Sequence, residues 1–70
     1  MAVSYNKLWK LLIDRKMKKN DLIASAGLSR TTMAKLGHDE HVTTETLTKI
    51  CRALKVDIGD IMEVIQDEEN

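Results

Sequence analysis

Proline and phenylalanine are absent from this chain of 70 residues, and tryptophan, tyrosine and cysteine occur once each. A single cysteine, Cys51, excludes an internal disulfide. With no secretory leader in view, it fits a reducing compartment, so a cytoplasmic location is expected. Met1 runs straight into Ala2, Val3 and Ser4, without a charged-then-apolar targeting segment. No apolar run is long enough to span a bilayer, and no membrane role is expected. Three glycines form no phosphate-cradling loop. Alternation of apolar and polar residues, the mark of strands, is also scarce.

An excess of charge of one sign is missing only in the sum. Residues 1–36 hold eight cations against two carboxylates, a net +6, and residues 37–70 hold three against nine, a net −6. Such a dipolar chain offers one part of its surface to polyanions and withholds the other. A domain this small buries only about 60% of its unfolded surface, so association between copies is a natural source of added stability. One domain is expected over residues 1–65, with 66–70 an acidic, disordered tail.

What the chain does have is helical spacing, punctuated by a recurring start signal. An apolar residue, then a cap, then a second apolar residue five positions after the first fixes how the chain turns into a helix. Val3-Ser4 pairs so with Leu8, Met17-Lys18 with Leu22, Leu28-Ser29 with Met33, Val42-Thr43 with Leu47, and Val56-Asp57 with Ile61. Ser, Thr and Asp can accept from free N–H groups at a helix start. Lys18 cannot, but Asp21, three residues on, can reach back. Five helices are therefore expected, over about 5–15, 19–26, 30–37, 44–55 and 58–65. The expected fold is all-α, a compact five-helix bundle. Its core is Leu8, Leu11, Leu12, Leu22, Ala26, Met33, Leu36, Leu47, Ile50, Cys51, Leu54, Val56, Ile58, Ile61 and Met62.

The most informative stretch is residues 17–36. Gly27 follows the second helix where a left-handed residue would turn the chain sharply, Leu28 plugs the corner, and Ser29 caps the next helix at once. Two short helices joined so tightly form a helix-turn-helix. With Met33 and Leu36 inward, Arg30, Thr31, Thr32 and Lys35 are left on a polar outer face, with Thr32 at its boundary. That face suits the major groove of duplex DNA. Arginine can bond guanine O6 and N7 together, and threonine can bond a base or meet the thymine methyl. Ala34 is small and permits close approach.

These residues resemble the lambda-repressor-like, Cro/XRE-type helix-turn-helix family, in its short single-domain form. The similarity runs through Leu22, Ala26-Gly27-Leu28-Ser29, Thr32-Met33 and Leu36. It continues through Glu45 to Leu54, Val56 and Ile61-Met62, and so covers nearly the whole chain. The resemblance implies a five-helix bundle whose first recognition-helix positions, here Arg30 and Thr31, read bases, with Lys35 one turn on. It implies a phosphate contact for Lys19 and an approach to the other strand for His38. Lys10, Lys18 and Ser29 complete the expected phosphate contacts. The chain departs from the family at Lys18-Lys19, where a small cap and glutamine are usual, and at Ile23, where alanine is usual. Asp39 and Glu40, in the loop 37–42, would repel phosphates.

Other chemistries find little support. His38, Asp39, Glu40 and His41 are loosely spaced and lack a thiol, so a solvated loop is expected and no metal. Cys51 lies on an inward face, where it fills space rather than reacts. Ser29 lacks a base, so no catalytic residue, cofactor or small-molecule ligand is expected. The expected role is sequence-specific binding of double-stranded DNA by a small transcriptional regulator, a repressor of phage, mobile-element or autoregulatory type. The alternative is a protein-interaction module that reuses the bundle without DNA. One such domain makes few contacts, so a homodimer on two half-sites is expected, joined through Met62, Val64 and Ile65.

Overall fold

The structure is a computed structural model that describes residues 2–66. Four α-helices lie between two short strands: β1 (Ala2–Ser4), α1 (Asn6–Asp14), α2 (Lys19–Ala26), α3 (Arg30–Gly37), α4 (Thr44–Leu54) and β2 (Glu63–Ile65), with a 3₁₀ turn at Ile58–Asp60 before β2. The helix-turn-helix is present. The fifth helix expected over 58–65 is not: that stretch is the turn and β2. Of the acidic tail expected over 66–70, only Gln66 is among the described residues, and it is exposed.

The start signal at Val56-Asp57 works, but it begins something shorter. Asp57 Oδ1 accepts from the Ile58 N–H at 2.8 Å, and Asp60 Oδ2 accepts from the Asp57 N–H at 3.0 Å. Gly59 then weakens a continuing helix, and Ile61, Val64 and Ile65 are β-branched. A ladder partner decides the outcome. β2 runs antiparallel to β1, with Ala2 opposite Ile65, Val3 opposite Val64 and Ser4 opposite Glu63. This pairing turns Val3 into the core, while Ile58, expected inside, is 36% exposed on the turn.

The helix starts otherwise follow the caps. Asp21 Oδ2 accepts from the Lys18 N–H at 2.8 Å, which replaces the acceptor that lysine lacks. Ser29 Oγ accepts from the Thr32 N–H at 3.0 Å, and Thr43 Oγ1 from the Thr46 N–H at 3.1 Å. At α1 the cap shifts by one: Tyr5 holds that position, and Ser4 Oγ accepts weakly from the Asn6 N–H at 3.3 Å. Lys16, Asp39 and Lys55 take the left-handed conformation, with φ of 57, 55 and 59°. Lys55 ends α4 directly, and its N–H bonds the Cys51 carbonyl.

The core joins every helix: Val3, Tyr5, Leu8, Leu12, Leu22, Ala26, Met33, Leu36, Leu47, Ile50, Leu54 and Ile61. Leu11, Cys51, Val56 and Met62 pack on its edge, half-buried. Tyr5 was not anticipated, yet it is 1% exposed. Its hydroxyl donates to the Glu40 carbonyl at 2.8 Å, and its N–H donates to Asp39 Oδ1 at 3.1 Å. The start of α1 thus grips the loop after α3. Two cations, Lys7 of α1 and Arg15 just past its end, hold the end of α4 and the turn that follows it. The Arg15 guanidinium donates to the Leu54 carbonyl at the end of α4, and Lys7 Nζ to the Gly59 carbonyl at 3.2 Å.

Candidate nucleic-acid interface

Gly27 makes the corner on which the site depends. At φ 68° and ψ 42° it is left-handed, and its N–H and that of Leu28 both bond the Ile23 carbonyl. A side chain there would meet nothing within 4 Å, so glycine is needed for its backbone conformation and not for space. Leu28 is half-buried against the core, as a plug must be. α3 then starts on Ser29, buries Met33 and Leu36, and leaves Arg30, Thr31, Ala34 and Lys35 exposed and Thr32 half-buried.

α2 and α3 enclose an open groove of about 430 Å³. It is lined by Lys19, Asn20 and Ile23 from α2 and by Arg30, Met33, Ala34, Gly37 and His38 from α3 and its end. Three of the residues expected to touch DNA, namely Lys19, Arg30 and His38, therefore share one concave surface. Ile23, where a smaller residue was the norm of the resembled family, forms part of the groove floor and is half-buried. Thr32 and Lys35 stand on the other flank of α3. There they line a smaller recess of about 210 Å³ with His41, Val42, Thr43 and Thr46. α3 is thus a ridge with a cation on each side.

The remaining expected residues are placed less uniformly. Lys18 is exposed beside Lys19 at the start of α2. Ser29 is exposed, but its hydroxyl is engaged by its own helix: it accepts from the Thr32 N–H and donates to Thr32 Oγ1 at 3.0 Å. Lys10 is separate from the groove and lines a recess of α1 with Lys7, Leu11, Asp14, Val56 and Asp60. Met62 is half-buried on the core, while Val64 and Ile65 are exposed on β2 and not on a helix.

Two features went unseen in the sequence. Asn20 lines the groove, one residue after Lys19, and carries both donor and acceptor. Trp9 of α1, half-buried, lies beneath Lys19, whose Nζ is 4.9 Å from the ring centroid. Asp39 also differs from expectation in its role. Its carboxylate is bonded to the Tyr5 N–H at the positive end of α1, which offsets part of its charge. Burial, with the nearby Asp39 charge, holds the Tyr5 phenol above its ordinary value near 10, against a lowering backbone hydrogen bond. Burial, with Asp57 and Asp60, likewise raises the Cys51 thiol.

No helix among the described residues is long and apolar enough to cross a membrane. Residues 7–67 match the profile of the Cro/C1-type HTH DNA-binding domain. The chain is also similar to a solved structure, the crystal structure of the transcriptional regulator VanUg, Form II. The two share 53% identity with a TM-score of 0.90, over 94% of this chain and 88% of that one. A search of curated proteins finds no match.

Proposed function

Because this chain belongs to the Cro/C1-type helix-turn-helix DNA-binding family, we propose that it is a sequence-specific regulator of transcription, of repressor type, acting through α3. The observation that carries the proposal is the division of α3. Met33 and Leu36 are buried, and Arg30, Thr31 and Lys35 are presented to solvent. Arg30, Thr31 and Lys35 read base edges, with Thr32 at the margin. Lys18, Lys19 and His38 hold the phosphates beside them. Ser29 serves the phosphates only through its backbone and helix start, since its hydroxyl already has two partners. Lys10 contributes at longer range, as part of the basic half.

One domain offers few base contacts, so two copies on two half-sites one helical turn apart give the discrimination a regulator needs. Val64 and Ile65 supply exposed apolar surface for joining the copies, with Met62, half-buried on the core, just before them in the chain.

Selection from a random duplex library tests this reading. The expected result is one preferred sequence with twofold symmetry and half-sites about 10 base pairs apart. In a salt titration, log affinity should fall by about 0.9 per phosphate contact per log unit of salt. Absence of duplex binding at low salt would overturn the proposal and leave the protein-interaction alternative.

A further inference from the structure

The geometry points to Trp9 as a positioning residue that holds the Lys19 ammonium in place for a DNA phosphate. This inference rests on the DNA-binding reading above. Lysine is a point charge on a flexible four-carbon stem, so its contact with a phosphate loses rotamer freedom unless something arranges it beforehand. Lys19 also stands in the first turn of α2, where the positive end of the helix disfavours a cation. The Trp9 ring opposes both effects. Nζ lies 4.9 Å from its centroid, within the range at which an indole face attracts an ammonium.

The platform is itself fixed. Trp9 packs against the core from α1, between the buried Leu8 and Leu12 in sequence, and it does not line the groove. Lys19 does line it, with Arg30 and His38. Trp9 therefore reaches the groove through Lys19. A ring on α1 sets the position of a cation on α2, and α1 becomes part of the binding apparatus without contributing a groove residue of its own.

The test uses the whole chain and a fluorescently labelled mixed-sequence duplex, because a phosphate contact needs no particular site. Trp9→Leu should weaken binding about threefold, and Trp9→Phe, which keeps an aromatic face, should recover most of that loss. Lys19→Met should reduce the salt slope by about 0.9. In the Lys19→Met background, Trp9→Leu should then have no further effect. Equal weakening by Trp9→Leu in both backgrounds, or none in either, would overturn the inference. If Trp9→Leu fails to fold, as judged by circular dichroism, emission from the single tryptophan decides. Duplex should change that emission in the parent chain and leave it unchanged in Lys19→Met; equal changes would sink the idea. If the parent chain does not bind the duplex at all, the DNA-binding reading fails first.

Discussion

Tyr5 shows what one side chain can couple. It is buried in the core, it stands at the cap position of α1, and its hydroxyl and N–H hold Glu40 and Asp39 of the loop after α3. Tyr5→Phe keeps the ring and deletes one hydrogen bond, so it should cost about 1 kcal/mol in denaturant unfolding. The pH dependence has a definite sign. The phenol titrates higher in the folded chain than in the unfolded one, so its contribution is complete below pH 10. It is lost as pH rises through the folded value. Stability should therefore fall in alkali, and Tyr5→Phe should remove that part of the fall. Arg30→Ala belongs at this scale too. It should cost about 1–3 kcal/mol at the selected sequence and relax base preference there, whereas Lys19→Ala should weaken every sequence alike. Identical effects in a competition assay would remove Arg30 from base readout. Arg30 was legible as an exposed cation on helical spacing, and Lys19 through the family resemblance. Tyr5 was not, because an aromatic ring before a helix carries no periodicity and its partners lie more than 30 residues on.

Elements differ in how plainly their beginnings and ends are written. α2, α3 and the corner between them could be read almost residue by residue, since Gly27, Leu28, Ser29, Met33 and Leu36 each have a local reason to be where they are. The segment after α4 could not. Asp57 and Ile61 signal a start, and the structure has one, but a start does not specify a length. β2 exists because β1 is beside it, and a three-residue strand has too few positions to show alternation. Helix ends allow two predictions of opposite sign. Gly27→Ala meets no obstacle, yet it must adopt φ 68°, so it should destabilise the fold by about 1–2 kcal/mol. Lys55 already bears that strain at φ 59°, so Lys55→Gly should stabilise it by about 0.5–1 kcal/mol after the glycine's added unfolded-state entropy. Thermal melts of the two variants should move in opposite directions.

For the molecule as a whole, the charge division in the sequence and the arrangement of the helices address the same problem. The groove between α2 and α3 draws its cations from the basic half, while Asp57, Asp60 and Glu63 belong to the segment packed beside α1 and β1. That segment is secured by Lys7 on Gly59 and by the ladder to residues 2–4, while Arg15 holds the end of α4 just before it. Val3→Ala removes apolar volume where the ladder meets the core and should cost about 1–2 kcal/mol in chemical unfolding. The same ladder has a consequence in time. During synthesis, the corner at Gly27 needs only its neighbours, whereas Val3 must wait for Val64, 61 residues later in the chain. Residues 2–4 are thus made before the helices yet are among the last of the domain to find their place, and pulse-labelled refolding should protect the amides of α2 and α3 before those of the sheet.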